Sequence, residues 1–146
     1  MRAFESWGTN GNNGRGVLVG PPRKLLVWNA VNGHRIYAHN PAHEMVGTLS
    51  LGIRHYYNTY PEIVDNQMSA LDVSCENCIA QMFEGTSPTI LTVGNPTSAP
   101  AKATMTIPVS AAELFDRVDS RRISVNAGKA SIDLKAWEFR AFEIRP

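Results

Sequence analysis

The sequence has no excess of charge of either sign. Its 146 residues include 14 Lys and Arg against 13 Asp and Glu, so the formal net charge is +1. A chain so close to neutral exerts no long-range attraction on nucleic acid or on an anionic membrane surface. We therefore expect no nucleic-acid partner.

Long apolar runs are also missing. No stretch approaches the roughly 20 apolar residues that a membrane-spanning helix needs, and the first residues lack the apolar segment of a secretory signal. We therefore expect no membrane partner. The location stays open, since the pattern fits a cytoplasmic protein, a chain without its leader or a piece of a longer protein.

Cysteine is scarce, with only Cys75 and Cys78 in a Cys-Glu-Asn-Cys segment. Two thiolates supply only half of a tetrahedral zinc site, and a redox pair of this spacing needs a helix N-terminus to lower its thiol pKa. This pair lies between two strand-like runs instead. Two reduced thiols, a local disulfide and a metal or redox role all stay open.

Several functional motifs are missing as well. The sequence has no GxxxxGK[ST] loop, no GxGxxG after a strand and no GxSxG elbow. These absences exclude the usual signatures of nucleotide binding and of an α/β-hydrolase. We expect no cofactor.

From residue 70 onward, the apolar residues recur at every second position in short runs. That period places them on one face of a strand, and Gly, Pro and Asn separate the runs. Strands are predicted at residues 71–75, 79–83, 89–93, 103–107, 113–118, 122–125, 130–134 and 138–145. Several short strands at this spacing predict an antiparallel β-sandwich. Within it, we place Phe142 and Ile144 in the interior, and Trp137 and Phe139 against a helix.

Residues 17–69 predict a hairpin and a helix. Two β-rich runs, 25–31 and 34–38, flank Asn32-Gly33, a pair that suits a type I′ turn. Asn40-Pro41 then resembles a helix start, and Pro61 is expected to end that helix. Residues 61–68 suggest one further helical turn. The stripe of apolar residues along the helix comprises Val46, Leu49, Ile53, Tyr56, Tyr57 and Tyr60.

The predicted fold is therefore mainly β (α+β), with an antiparallel β-sandwich at the C-terminus preceded by a β-hairpin and one long helix. We divide the chain into a flexible, Gly- and Asn-rich arm at 1–16, a hairpin and helix segment at 17–69, and the sandwich at 70–146.

The C-terminal half resembles the small β-sandwich that closes many glycoside hydrolases after their (β/α) barrel. The likeness covers roughly residues 70–146 and is carried by four segments, 90–97, 103–108, 113–118 and 137–144. They match a strand ending in an Asn-containing turn, a Thr-rich strand, a strand with a short acidic segment, and a closing aromatic-Glu-x-Arg-x-aromatic strand. The resemblance implies an accessory module or a fragment of a larger enzyme, with a catalytic domain as partner.

Aromatic residues before the sandwich are the best candidates for ligand binding. Sugars present C–H faces that stack on aromatic rings, and amides can bond their hydroxyls. The candidates are Trp28, Asn29, Tyr37, Tyr56 and Tyr57. The alternative interpretation is that these rings only pack the hairpin against the helix.

A second cluster could hold a metal. His39 and His43 flank a predicted strand-to-helix corner, with Glu44 beside them, and two imidazoles with a carboxylate suit a metal ion. Glu62 and Asp65 share a helical face and could act as a pair of acids, although acids in a first helical turn also stabilise the helix dipole. Capping and packing remain alternatives for all of these residues.

Three functions are therefore compatible with the sequence. The first is a non-catalytic, carbohydrate-associated module that looks like the C-terminal domain of a glycoside hydrolase. The second is a structural or protein-interaction module that self-associates as a homo-oligomer. The third is a small hydrolase that uses the His39, His43 and Glu44 corner.

Overall fold

The computed structural model describes residues 7–10, 15–18, 22–33, 44–65, 67–70, 77–85, 87–107 and 110–146. Its helices are α1 (Pro22–Val31), α2 (Glu44–Thr59) and α3 (Glu62–Asp65). Its strands are β1 (Trp7–Asn10), β2 (Arg15–Leu18), β3 (Gln67–Ala70), β4 (Ile79–Glu84), β5 (Ile90–Gly94), β6 (Ala101–Thr106), β7 (Glu113–Asp116), β8 (Arg121–Ser124), β9 (Lys129–Leu134) and β10 (Phe139–Arg145).

The strands form antiparallel sheets. The largest has six strands in the order β3-β4-β5-β10-β7-β8, while β6 pairs with β9 and β1 pairs with β2. The β6–β9 pair contributes buried side chains to the same apolar cluster as one face of the large sheet. The expected mainly β, sandwich-like fold is confirmed, and seven of the predicted strands coincide with β4 to β10. The predicted strand at 71–75 lies outside the described residues.

Two apolar cores lie on opposite faces of the large sheet. The sandwich core is buried between the sheets and comprises Cys78, Ala80, Leu91, Val93, Ala103, Met105, Ile107, Leu114, Ala130, Ile132, Leu134 and Phe142. The helix-side core comprises Leu26, Val27, Ala30, Val31, Ile53, Tyr56, Tyr60, Ile63, Phe83, Ile90, Phe139 and Ala141.

Strand β10 supplies side chains to both cores. Phe142 lies in the sandwich core with Ile144 packed against it. Phe139 lies in the helix-side core, and Trp137 packs against that core. This is the division that the alternating pattern predicts, because successive strand residues point to opposite faces.

The predicted hairpin at 25–38 is wrong in its first half, because residues 22–31 form helix α1. Pro22 suits a first helical position. Gly33 has a φ of +70°, and the backbone N–H groups of Asn32 and Gly33 donate to the carbonyls of Trp28 and Ala30 at 3.2 Å. The positive φ that suggested a hairpin turn thus serves a helix C-terminus instead. Residues 34–38 lie outside the described residues.

Packing against the sheet favours a helix at residues 22–31, although several of these residues have a high β propensity. The side chains of Leu26, Val27, Ala30 and Val31 recur on one helical face and are buried. The carbonyl of Val31 accepts a hydrogen bond of 2.7 Å from the buried Thr92 hydroxyl on β5. The helix therefore lies directly against the centre of the sheet.

Helix α2 ends just before Pro61, and α3 follows it, both as predicted. Residues 67–70, however, form strand β3 paired with β4 rather than more helix, and Met68 is 45% exposed. Strand β1 lies within residues 1–16, which are predicted to be a flexible arm, and strand β2 begins there. The division into three domains stays a prediction.

In the described part of the chain, no helix is long and apolar enough to cross a membrane.

Gly94 provides a test of how tightly α1 packs on the sheet. A Cβ atom at Gly94 would lie 2.6 Å from methyl carbons of Val27 and Val31. We expect Gly94→Ala to destabilise the protein by about 1–3 kcal/mol, because the helix must move away from β5. The measurement is urea unfolding at neutral pH.

The matched control is Gly52→Ala, in the outer face of α2, where a Cβ meets no atom within 4 Å. It should stabilise the protein by about 0.5–1 kcal/mol, since Ala favours a helix over Gly. Equal unfolding midpoints for Gly94→Ala and the wild type would contradict the close packing.

Candidate functional site

The main polar cluster in the described residues surrounds Asp116, where β7, β10 and helix α2 meet. The Asp116 carboxylate is completely buried. Its Oδ1 accepts from the backbone N–H groups of Val118 at 2.8 Å and Asp119 at 3.3 Å. Its Oδ2 accepts from the Tyr56 hydroxyl at 3.0 Å and from Arg140 Nη1 at 3.2 Å. Four donors thus compensate the loss of solvation of one buried charge.

Arg140 connects this carboxylate to two further acids. Its guanidinium also pairs with Asp119 and, at 2.8 Å, with Glu138. Burial by itself lowers the pKa of Arg140, but the hydrogen bonds to these acids and the charges nearby raise it above its ordinary value. The guanidinium therefore stays charged and holds the ends of β7 and β10 together.

Tyr56 joins helix α2 to the same cluster. Burial, followed by the negative charge of Asp116, raises the pKa of the Tyr56 hydroxyl well above its ordinary value. The hydroxyl therefore remains protonated and acts as a donor to the carboxylate. Its ring stacks on Tyr60 at 6.2 Å and meets Phe139 edge-on at 5.4 Å between ring centroids.

A second set of ion pairs centres on Arg117. Its guanidinium donates to both oxygens of Glu62 at 3.0 and 3.2 Å, and its Nε donates to Glu143 at 2.8 Å. The guanidinium carbon also lies 4.9 Å from the centre of the Tyr60 ring. These contacts attach α2 and α3 to β7 and β10, so this part of the site performs a structural task.

The aromatic candidates lie mainly at the contact between helices and sheet. Tyr56 is 8% exposed and Asn29 is 5% exposed. Tyr57 is half-buried, and its hydroxyl donates to the carbonyl of Ala30 at 3.0 Å. Trp28 is half-buried on α1, and Tyr37 lies outside the described residues. The structure thus joins Tyr56 and Tyr57 around Phe139, while their binding role stays a prediction.

The candidate metal corner falls largely outside the described residues. His39 and His43 are not among them, and Glu44 is described only as the first residue of α2. Nowhere in the described ranges do three His, Cys, Asp or Glu side chains lie close enough to hold a metal ion. Cys78 is buried, whereas Cys75 lies outside the described residues. The metal site therefore remains a prediction.

Sequence reasoning missed Asp116, Arg117 and Arg140, although a signal was present. With a period of two, Arg140 shares a strand face with Phe142 and Ile144, and Asp116 shares a strand face with Leu114. A charged residue at the end of an apolar face is rarely buried unless it is paired. Two such residues of opposite sign indicate an ion pair, although the sequence does not show that their strands are neighbours.

The buried carboxylate gives a direct test of this cluster. We expect Asp116→Asn to destabilise the protein by about 1.5–3 kcal/mol, because Arg140 and Tyr56 lose a charged acceptor. Urea unfolding measures the change. The matched control is Asp133→Asn on the exposed face of β9, which should stay within about 0.5 kcal/mol of the wild type. Equal effects of the two substitutions would show that the cluster does not stabilise the fold.

Lowering the pH should weaken the ion pair between Arg117 and Glu143, because the Glu143 carboxylate becomes protonated. Burial alone raises the pKa of this carboxyl, but hydrogen bonds from Arg145 and Arg117, with their charges, lower it overall. The pKa of a Glu carboxyl in the unfolded state is about 4.3. Because the pKa of Glu143 is lower in the folded state, its ionised form stabilises the protein at pH values above the unfolded-state pKa. This stabilisation is lost as the pH falls through the pKa of the folded state. Between about pH 6 and pH 3, the wild type should therefore lose more stability than Glu143→Gln. Identical losses in urea titrations would contradict this account.

The sequence matches no known protein family and no curated protein. Solved structures do share its fold. One is the α-amylase of Geobacillus thermoleovorans in complex with acarbose, with a TM-score of 0.62 and 10% identity over 87% of this chain and 34% of that chain. An Anoxybacillus α-amylase has a TM-score of 0.60 and 12% identity over 88% of this chain and 33% of that chain. AmyP in complex with maltotriose has a TM-score of 0.60 and 9% identity over 85% of this chain and 34% of that chain.

These matches extend beyond the sandwich. Residues 70–146 are only about half of the sequence, so a match over 85% of the chain also takes in much of the helical segment. The chain spans about one third of the length of these three proteins. The expected resemblance to glycoside hydrolases is thus confirmed at the level of the fold, which is that of a section of an α-amylase.

Proposed function

We propose that this chain is a non-catalytic, carbohydrate-associated domain of a glycoside hydrolase. The observation that carries the proposal is the match of 85–88% of this chain to about one third of several α-amylases. A domain that matches about one third of such an enzyme corresponds to only part of its helices and strands. Its task would be to support a catalytic domain and to contact its sugar polymer.

The ion pairs support the non-catalytic part of the proposal. A glycosidase normally needs two carboxylates roughly 5–10 Å apart with room for the sugar between them. Glu62, one of the candidate acids, is instead held by Arg117 through both of its oxygens. Asp116 is completely buried, and Glu143 lies between Arg117 and Arg145. These carboxylates attach helices to strands, which is a structural and not a catalytic role.

Two observations support the association with carbohydrate. AmyP and the Geobacillus enzyme share this fold and are seen in complex with maltotriose and with acarbose. In this chain, Trp28 and Tyr57 are half-buried, so part of each residue remains accessible to solvent. An α-glucan is therefore the sugar class to test first.

A structural module that self-associates is the second candidate. It is favoured by Leu51, which is 65% exposed on α2, and by Met68, which is 45% exposed on strand β3. Exposed apolar side chains mark a contact between proteins where they form one contiguous patch. A hydrolase at His39, His43 and Glu44 stays a prediction of the sequence.

The test is calorimetric titration of the purified chain with maltotriose, alongside a glycan array and an assay of reducing sugar released from soluble starch. We expect saturable binding of maltotriose, weakened by Trp28→Ala or Tyr57→Ala, and no release of reducing sugar. The matched control is His55→Ala, on an exposed position of α2, which should bind like the wild type.

Three outcomes would separate the candidates. Hydrolysis of starch would contradict the non-catalytic role. A blank array and no binding of maltotriose would contradict the association with carbohydrate. In that case, a dimer in sedimentation experiments that Leu51→Asp dissociates would establish the self-associating module instead.

A further inference from the structure

Trp137 holds an unusual backbone conformation. It lies in the turn between β9 and β10 with a φ of +60°, in the left-handed region that bulky residues avoid. The other non-glycine residues described with a positive φ are Ser120 and Ala127, both of them small. Glycine or asparagine would adopt this turn with less strain, so the indole at position 137 has to be explained by what its ring does.

The surrounding hydrogen bonds fix this conformation. The backbone N–H of Trp137 donates to the carbonyl of Thr97 at 3.0 Å. The completely buried Asn95 donates to the carbonyl of Lys135 at 3.0 Å and to that of Ala99 at 2.7 Å. The carboxylate of Glu138 accepts from the backbone N–H of Lys135 at 2.6 Å. Two loops are thus joined into a rigid frame beneath Trp137.

Trp137 is half-buried. Its side chain packs against the helix-side core, which Tyr57 also borders, and part of the residue remains accessible to solvent. The indole N–H has no hydrogen-bond partner among the described residues, although such groups usually find one when they are buried. Two exposed polar residues are adjacent to this turn: Lys135, two residues before Trp137, and Ser98, which follows the hydrogen-bonded Thr97. The position thus combines a rigid aromatic surface, an available donor and polar neighbours.

We propose that the indole of Trp137 is a stacking platform for a pyranose ring of an α-glucan. The proposal rests on the carbohydrate association above and assigns it a further residue. The apolar C–H face of the sugar would lie on the exposed part of the ring. The indole N–H would donate to a sugar hydroxyl, and the rigid frame would reduce the entropy lost on binding.

The test compares Trp137→Phe with Trp137→Leu. Both side chains are apolar and fill space against the helix-side core, and both face the same unfavourable φ, but only phenylalanine offers a flat ring. Each variant is titrated with maltotriose by calorimetry, and its thermal unfolding is recorded in parallel. We expect Trp137→Leu to bind at least about tenfold more weakly than the wild type, as truncation of an aromatic anchor in a binding contact predicts. Trp137→Phe should stay within about threefold.

The outcomes separate the platform from the wider function. If the wild type binds maltotriose and Trp137→Leu binds equally well, the platform is wrong while the carbohydrate association stands. If Trp137→Phe and Trp137→Leu lose affinity in parallel with their melting temperatures, Trp137 only packs the core, and the platform is again wrong. If the wild type binds no maltotriose, the carbohydrate association fails and the platform with it.

Discussion

The buried carboxylate of Asp116 is the constraint on which the arrangement of helices and sheet depends. It has no contact with solvent, so every donor that compensates its charge must come from the protein. Tyr56 supplies one donor from α2, Arg140 supplies another from β10, and the turn after β7 supplies two backbone N–H groups. A single side chain therefore fixes the relative positions of three elements that are distant in sequence.

The apolar cores follow from the same arrangement. Tyr56 can reach Asp116 only if α2 lies across the face of the sheet that carries Phe139. That position covers the helix-side core, and the opposite face is left for the sandwich core. Polar contacts thus specify where the helices lie, while burial of apolar surface supplies most of the stability. The charged groups at this junction serve the fold, so the proposed contacts with a sugar are assigned to aromatic residues instead.

Much of the sheet could be predicted from the sequence alone, because burial of one face imposes a period of two on each strand. The same alternation correctly assigned Phe142 to one core and Phe139 to the other. Helix α1 could not be predicted in this way. Its β-branched and aromatic residues favour strands locally, and only the sheet beneath Val27 and Val31 makes the helix the better structure.

The candidate site was harder to predict for a related reason. The sequence shows that Asp116 and Arg140 are charged residues in apolar strands, but these strands become neighbours only through β-sheet pairing of segments far apart in the chain. Aromatic residues near one another in sequence, such as Tyr56 and Tyr57, were easier to notice. The structure shows that both hydroxyls already have partners within the protein.

The position of β10 has a consequence for how the chain can fold during synthesis. This strand follows the other described strands in sequence, yet it lies between β5 and β7 in the middle of the large sheet. Until it is available, β5 has no partner on one side and the β7–β8 hairpin has no attachment to the rest of the sheet. Because non-local pairings of this kind form slowly, the nascent chain would expose strand edges until β10 has been synthesised and has paired. It would then depend on rapid completion of the sheet to avoid aggregation.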